Sequence, residues 1–224
     1  MFEGIEAVLF DLDGTLLDSL WVWEAIDVAF LSERNIPIPE TLQQDIGGKS
    51  FLETAEFFIE QFDLTLTPQE LMDSWNRAAF ARYAEEVPVK EGVMEFVAAL
   101  KAAEIRMGIA TSNSKVLTDV ALQRVGLDRY IEEVVTADMV PKGKPEPDVY
   151  LELAKRLGVS PEHCLVFEDI PEGIMAGNRA GMRTCGVFDR HSAGANETLR
   201  ALAKFYIPDF EQVLKCMGEH YAGN

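Results

Sequence analysis

The chain has 224 residues, of which 48% are hydrophobic and 26% are charged, a composition typical of a folded globular protein and not of a disordered one. Lys and Arg number 20 against 38 Asp and Glu, which gives a formal net charge of −18 and disfavours binding to nucleic acids. At roughly 100 to 200 residues per domain, this length allows one large domain or a core with a smaller insert.

Short apolar runs alternate with helical patterns over most of the chain. Five runs predict buried parallel strands, at residues 7–10, 107–110, 134–135, 165–167 and 184–187. Helical patterns lie at 92–103, 115–125, 147–157 and 172–180, and the last three end at glycines, which are common helix stop signals. This alternation predicts an α/β fold with a doubly wound parallel sheet.

The stretch from residue 18 to residue 86 breaks this alternation. Helical patterns occupy roughly 19–34, 39–46, 50–62 and 68–86, and none of the intervening segments resembles a strand. We therefore predict an all-helical insert at 18–86, with a core domain formed by 1–17 and 87–224. Such an insert is well placed to cover the carboxyl ends of the strands, where open α/β sheets bind ligands.

Asp11 and Asp13 directly follow the first predicted strand. Alternation in an extended segment points both carboxylates to the same side, where they repel each other unless a cation binds or one is protonated. Asp11 could hold a divalent metal with one oxygen and attack an electrophile with the other, while Asp13 moves a proton. The alternative is an ordinary turn at Asp13-Gly14.

Further polar groups lie near three other predicted strand ends. Glu168 and Asp169 add carboxylate oxygens of the kind that Mg²⁺ prefers, although one such pair is commonly a helix N-cap. Ser112 and Asn113 offer hydroxyl and N–H groups to an anion, or else cap the following helix. Lys144 could bind a phosphoryl group, although a surface lysine is normally a solvated charge.

These four segments resemble, in this order, the four motifs of the haloacid dehalogenase superfamily of aspartate-nucleophile phosphotransferases. The matching segments are DLDGT, TSN, KGKPEPD and VFEDIPEGIMAGNRAGM, and the resemblance covers nearly the whole chain. The chain is similar to the subgroup with a helical cap after the first motif, the β-phosphoglucomutase and phosphoglycolate phosphatase type. The resemblance implies a Rossmann-like core with a cap domain.

The resemblance implies a nucleophile and a metal site. Asp11 would be the nucleophile and a metal ligand, and Asp13 the general acid/base, with its backbone carbonyl also on the metal. Asp169 would complete the Mg²⁺ site, with Glu168 binding directly or through water. The family pattern usually has Ser after this acidic pair, where the chain has Ile170.

The resemblance also implies a phosphate site and a reaction. Ser112, the Asn113 amide and Lys144 would hold the phosphoryl group during its transfer. Mg²⁺ and Lys144 would neutralise its oxygens, and Asp11 would form an aspartyl-phosphate that water then hydrolyses. The expected ligand is a small phosphorylated metabolite.

Three cap positions bear on the choice between a phosphatase and a mutase. The Gly47-Gly48 turn falls where the resemblance places the specificity loop, and Lys49 could reach an anionic leaving group, although a plain turn between helices is equally compatible. Trp23 stands where the sugar phosphomutases of this subgroup carry a histidine, and Phe51 stands near the position of their arginine. A mutase needs a cap acid/base and a second anion clamp. We therefore expect a phosphatase, with a sugar phosphomutase as the alternative.

A receiver-type signalling domain is the alternative from outside the enzymes. Receivers are also α/β domains that are phosphorylated on Asp with Mg²⁺. They carry the accepting Asp on a middle strand and have no cap insert, whereas Asp11 follows the first predicted strand. These two differences favour an enzyme.

The remaining features concern location and assembly. Cys164, Cys185 and Cys216 are odd in number and form no CxxC pair, so we expect reduced packing residues and neither disulfides nor a zinc site. The N-terminus has no signal-peptide pattern, and no run approaches the roughly 20 apolar residues of a membrane span. We expect a cytoplasmic monomer that binds neither membranes nor nucleic acids.

Overall fold

Six strands form one parallel sheet within the part of the chain that the computed structural model describes, residues 1–47 and 49–221, without the side chains of Ala193, Cys216 and residues 218–221. The strands are β1 (Ala7–Phe10), β2 (Arg106–Thr111), β3 (Glu133–Thr136), β4 (Cys164–Glu168), β5 (Arg183–Val187) and β6 (Phe205–Ile207). Their order across the sheet is β3-β2-β1-β4-β5-β6. The predicted α/β fold with a parallel sheet is therefore confirmed, and β6 is a strand that the sequence patterns did not predict.

Four helices follow β1 before the chain returns to the sheet. They are α1 (Leu20–Glu33), α2 (Leu42–Ile46), α3 (Phe51–Gln61) and α4 (Pro68–Glu85). The helices between and after the later strands are α5 (Val93–Ala102), α6 (Lys115–Val125), α7 (Asp148–Leu157), α8 (Pro171–Arg179), α9 (Asn196–Leu202) and α10 (Phe210–Tyr221). Each helical pattern predicted from the sequence corresponds to one of the first eight helices.

The starts of α3 and α4 are set by local hydrogen bonding. The Ser50 hydroxyl accepts a hydrogen bond from the backbone N–H of Glu53, and the Glu53 carboxylate accepts one from the backbone of Ser50. Thr67 and Glu70 form the same reciprocal pair before α4. Because these pairs satisfy N–H groups that have no partner inside the helix, they fix where each helix begins.

Both faces of the sheet are buried. Ala7 and Leu9 point to one face and pack in a cluster with residues of α7 and α8, while Val8 and Phe10 lie in a larger cluster that includes α5, α10 and the four helices after β1. Phe10 stacks on Phe167 of β4 with 5.6 Å between ring centroids. Burial on both faces explains why β1 is apolar at every position.

The helical segment α1–α4 leaves and rejoins the sheet at one place. The backbone N–H of Lys90 donates to the carbonyl of Leu16 at 2.9 Å, and the N–H of Asp18 donates to the carbonyl of Pro88 at 3.0 Å. These bonds tie the outgoing connection to the returning one. The whole helical segment is thereby held beside the carboxyl end of β1.

The strand order places a crevice at this end of β1. The sheet grows from β1 through β2 and β3 on one side and through β4, β5 and β6 on the other. In open α/β sheets, ligands bind where the strand order reverses in this way. The functional site is therefore expected at the carboxyl ends of β1, β2 and β4.

Two other sequence expectations can be compared with the structure. Cys164 and Cys185 are buried thiols outside any disulfide, while the side chain of Cys216 lies outside the described part of the chain. None of the described helices combines the length and the apolar character that crossing a bilayer requires.

Candidate active site

Asp11 lies immediately after β1 and contacts a buried lysine. Its side chain is almost fully enclosed, with a relative exposure of 7% for the residue, and Lys144 Nζ donates to Asp11 Oδ1 at 2.6 Å. Burial raises the pKa of the Asp11 carboxyl well above its usual range, Lys144 opposes this effect, and Glu168 and Asp169 add to it. Asp11 therefore depends on nearby positive charge to remain ionised.

Lys144 lies on the loop between β3 and α7, and three acceptors hold its ammonium group. It donates to Asp11, to the carbonyl of Ala110 at 3.1 Å, and to the carboxylate of Glu168. Burial on its own lowers the pKa of Lys144, but Asp11 and Glu168 outweigh this effect and raise the pKa above its ordinary value. The structure therefore holds a permanent cation against the side chain of Asp11.

Three carboxylates form an acidic cluster around this lysine. One carboxylate oxygen from each of Asp11, Glu168 and Asp169 lies within 4.8 Å of the other two, and all three residues are buried. Asp169 accepts hydrogen bonds from Thr15 at 3.2 Å and from Ser192 at 3.3 Å. Burial, assisted by the charge of Glu168, raises the pKa of Asp169 to about 8. An all-oxygen cluster with more negative than positive charge fits a divalent cation such as Mg²⁺.

Glu168 is fixed by donors on both of its oxygens. Tyr150 donates to Oε1 at 2.8 Å, and Lys144 contacts the same oxygen. Oε2 accepts from the backbone N–H groups of Asp169 and Ile170 at 3.2 and 3.5 Å. Ile170 brings no side-chain hydroxyl to this site, so the hydroxyl partners of Asp169 come from other parts of the chain.

Two glycines leave room for the acidic side chains. Gly14 has a φ of +83°, which L residues rarely adopt, and a Cβ there would overlap the carboxyl group of Asp169. Gly173, in the first turn of α8, passes so close to Glu168 that a Cβ would overlap its carboxyl group. Both positions therefore require glycine for the carboxylates to occupy these places.

Replacing Gly173 with Ala is expected to displace Glu168 and, through it, Lys144. We expect a loss of roughly 1–3 kcal/mol in the free energy of unfolding, the usual cost of inserting an atom into a packed site, together with slower hydrolysis of a phosphate ester, the reaction that the resemblance implies. Thermal unfolding and the hydrolysis of p-nitrophenyl phosphate measure the two effects. Gly194→Ala is the matched control, because a Cβ at Gly194 would meet nothing within 4 Å. Equal behaviour of the two variants would contradict the role given to Gly173.

The carboxyl group of Asp13 has its own set of partners, and the acidic cluster does not include it. Oδ1 accepts from the Ser19 hydroxyl at 2.5 Å and from the Tyr83 phenol, and Oδ2 accepts from the Asn113 side-chain amide at 2.8 Å. Burial raises the pKa of Asp13, and these three hydrogen bonds counteract part of the rise. Two neighbouring aspartates are thus placed in different environments, as separate chemical roles require.

The segment after β2 connects to Asp13. Ser112 is half-buried and adjoins Asn113, which is buried. The Asn113 backbone N–H donates to the Thr111 hydroxyl at 3.0 Å, and its side-chain amide donates to Asp13. The backbone N–H of Asn113 and one of its two side-chain amide hydrogens thus have acceptors in this structure.

Two of the predicted specificity residues contact each other. The Trp23 ring lies 5.7 Å from that of Phe51 and 6.0 Å from that of Tyr83, measured between centroids. The indole N–H of Trp23 donates to the Tyr83 hydroxyl at 2.8 Å. Phe51 also packs against Trp75, with 5.6 Å between centroids. These four aromatic residues form one cluster, and its member Tyr83 donates a hydrogen bond to Asp13.

The side chain of Lys49 lies near an aromatic ring of α3. Its Nζ atom is 5.8 Å from the centre of the Phe57 ring on α3, and in the described part of the chain it makes no hydrogen bond or ion pair with Asp11 or Asp13. Gly48, half of the predicted Gly47-Gly48 turn, lies outside the described residues.

Several residues around the site were not identified from the sequence. They are Thr15, Ser19, Tyr83, Tyr150 and Ser192. Thr15 is the last residue of the DLDGT segment, so this motif could have indicated that Thr15 belongs to the site. Tyr83 and Tyr150 lie in predicted helices, where an aromatic residue usually indicates core packing.

The parallel sheet, the helical segment after β1 and the buried pair of Asp11 and Lys144 agree with the resemblance in the four sequence motifs. The family model described as haloacid dehalogenase-like hydrolase matches residues 5–181, which is most of the chain. The chain therefore belongs to the haloacid dehalogenase-like hydrolases. This confirms the resemblance in the four motifs and excludes the receiver alternative.

Named relatives specify the enzyme class. Hexitol phosphatase A of Escherichia coli (strain K12) is 33% identical over 183 residues, which cover 80% of this chain and 81% of that protein. The phosphorylated carbohydrates phosphatase of Thermotoga maritima is 28% identical over 216 residues, or 96% of this chain and 99% of that one. The chain is therefore an enzyme, a phosphatase of the haloacid dehalogenase-like hydrolases.

A solved structure shows the same fold. The β-phosphoglucomutase of Clostridium difficile superposes with a TM-score of 0.78 at 21% identity, covering 98% of this chain and 100% of that one. At this identity the likeness concerns the fold alone.

Proposed function

We propose that this chain is a Mg²⁺-dependent phosphatase that hydrolyses a small phosphorylated sugar or polyol through an aspartyl-phosphate on Asp11. The main support is the placement of Asp11 against Lys144 and beside two further carboxylates, while Asp13 is held separately by its own donors. The names of the relatives support a carbohydrate or polyol phosphate as the substrate class.

The residues present fit a divalent cation. Asp11 and Asp169 would bind it through carboxylate oxygens, Asp13 through its backbone carbonyl, and Glu168 directly or through water. When bound, Mg²⁺ would supply positive charge to the oxygens of the phosphoryl group. Glu168 also contacts Lys144 through Oε1, the oxygen to which Tyr150 donates. It would therefore keep Lys144 in place whether or not it binds the cation directly.

In the first step, an oxygen of Asp11 forms a bond to phosphorus while the bond to the leaving oxygen breaks. Lys144 and the Ser112 hydroxyl stabilise the negative charge on the phosphoryl oxygens. Asp13 transfers its proton to the leaving oxygen, which departs as an alcohol. Asn113 positions Asp13 for this transfer through the bond from its side chain.

In the second step, water attacks the aspartyl-phosphate. Asp13, now ionised, takes a proton from that water as its oxygen bonds to phosphorus. The bond from phosphorus to Asp11 breaks, inorganic phosphate leaves, and both aspartates return to their starting states.

The helical segment 18–86 is proposed as a cap domain over this site, with 1–17 and 87–224 as the core domain. The hydrogen bonds of Asp18 to Pro88 and of Lys90 to Leu16 support this division, because both connections pass one point. Trp23 and Phe51 would shape the substrate side of the cap, and Lys49 would meet an anionic leaving group.

The contacts of Trp23 support hydrolysis over mutase chemistry. Its N–H is used by Tyr83, and the Tyr83 phenol in turn donates to Asp13. Phe51 offers an aromatic ring where the resemblance places an arginine in sugar phosphomutases. The phosphoryl group on Asp11 would be transferred to water, because neither Trp23 nor Phe51 can deprotonate a sugar hydroxyl or bind a second phosphate.

A screen of phosphomonoesters with Mg²⁺ tests this proposal. We expect release of inorganic phosphate from small sugar and polyol phosphates, loss of this activity with EDTA and its recovery with added Mg²⁺. β-Glucose 1-phosphate with a bisphosphate primer should give no glucose 6-phosphate in a coupled dehydrogenase assay. Sustained formation of glucose 6-phosphate, faster than phosphate release, would establish the mutase instead.

A further inference from the structure

Three parts of the chain meet at the carboxyl group of Asp13. Ser19 lies just before α1, Asn113 follows β2 in the core, and Tyr83 lies in the last turn of α4. Each donates a hydrogen bond to Asp13, and Ser19 and Tyr83 share Oδ1. The orientation of this carboxyl group therefore depends on the core and on the helical segment together.

The Tyr83 hydroxyl is held between Trp23 and Asp13. Its side chain is fully buried, with 0% exposure, and its oxygen accepts the N–H of Trp23 at 2.8 Å. Because Trp23 supplies a hydrogen to that oxygen, the phenol's own hydrogen is directed to Asp13 Oδ1. The indole N–H of Trp23 therefore has the Tyr83 oxygen as its acceptor, and the phenol O–H of Tyr83 has Asp13 Oδ1.

We propose that Tyr83 is a positioning residue for Asp13 and that Trp23 orients it. This inference rests on the proposed phosphatase function. The bond from Tyr83 keeps the Asp13 carboxyl group turned so that its proton reaches the leaving oxygen as the phosphorus bond to that oxygen breaks. Trp23 then acts on the reaction through Tyr83, in addition to any contact with substrate.

The basicity of the leaving group separates this role from a merely structural one. An alkoxide must be protonated as it departs, whereas p-nitrophenolate is a weak base and leaves with little help from an acid. A misplaced Asp13 therefore slows the cleavage of alkyl phosphates much more than the cleavage of aryl phosphates. General damage to the site would slow both to a similar extent.

The test compares kcat/KM of the wild type and Tyr83→Phe on p-nitrophenyl phosphate and on an alkyl phosphate that the wild type hydrolyses. The ratio kcat/KM is chosen because it includes departure of the leaving group and omits later hydrolysis of the aspartyl-phosphate. We expect roughly a 10- to 100-fold loss on the alkyl ester, a part of the usual effect of a general acid, and less than about 3-fold loss on the aryl ester. Asp13→Asn should change the alkyl-to-aryl ratio in the same direction and by more.

Tyr150→Phe is the matched control. It removes the same hydroxyl from a side chain that is also 0% exposed, but this phenol donates to Glu168 and not to Asp13. Whatever it does to overall activity, it should leave the alkyl-to-aryl ratio within about twofold of the wild type, since the general acid keeps its position. Trp23→Phe should shift the ratio in the direction of Tyr83→Phe by a smaller factor.

Each outcome decides one question. If the wild type releases no phosphate from any ester, the proposed function fails. If the wild type is active and Tyr83→Phe slows both esters equally, or Tyr150→Phe shifts the ratio as much, the role of Tyr83 is wrong. If thermal unfolding shows that Tyr83→Phe is not folded, Trp23→Phe decides, and an unchanged ratio in that variant overturns the inference.

Discussion

Replacing Asp11 with Asn should lower kcat for phosphate release by at least about four powers of ten. The amide keeps the shape of the side chain and can still accept the hydrogen bond from Lys144, but it has no anionic oxygen to attack phosphorus. The fold should be retained, because burial raises the pKa of Asp11 and a neutral group is less costly to bury there than a carboxylate. Initial rates with p-nitrophenyl phosphate and saturating Mg²⁺ measure the effect.

Two controls make this result specific. Asp11→Ala should be as inactive as Asp11→Asn, and mass spectrometry should show that the Asn variant has not reverted by deamidation. The melting temperatures of both variants should be measured beside that of the wild type. Hydrolysis near the wild-type rate by either variant, with contaminating phosphatases excluded, would show that Asp11 is not the nucleophile.

Removing Lys144 should impair both catalysis and stability. Lys144→Ala takes away the cation that bonds to Asp11 and Glu168 and leaves their buried carboxylates facing each other. We expect a roughly 10³-fold lower kcat/KM, as when a donor to the transition state is lost, and a loss of roughly 3–5 kcal/mol in the free energy of unfolding. Steady-state kinetics and urea denaturation measure these effects.

Lys142 provides the matched control, two residues away on the same loop. Lys142 is exposed while Lys144 is 5% exposed, so Lys142→Ala should change neither kcat/KM nor stability appreciably. Lys144→Met keeps most of the volume and removes the charge, and it should be nearly as inactive as Lys144→Ala. If Lys142→Ala were the more damaging substitution, the other lysine would be the one that binds the phosphoryl group.

The sequence predicted most of the sheet because buried parallel strands are short apolar runs. Residues 7–10 match β1, and the other four predicted strands lie within β2, β3, β4 and β5. The strand β6 was missed although its three residues are all hydrophobic, because so short a run does not by itself distinguish a strand from part of a helix. The helices α9 and α10, which flank it, were likewise not predicted.

The sequence alone also located the centre of the site. Parallel strands bring their carboxyl ends to one edge of a sheet, so polar residues after β1 and β4 had to lie close together. Asp11, Glu168 and Asp169 form one buried cluster in the structure. The chemical roles given to them remain predictions that the variants above test.

Only the tertiary structure decided which partners surround these carboxylates. Tyr83 is 70 residues from Asp13, and Thr15 is 154 residues from Asp169. No local pattern encodes such pairs, because a helical periodicity shows that a face is buried but not which carboxylate a hydroxyl on that face will meet. That depends on how α4 packs beside the carboxyl end of β1, which the combined packing of the helices and the sheet determines. The sequence thus determined the family, the sheet and the acidic centre, while the folded chain determined the hydrogen bonds that orient Asp13.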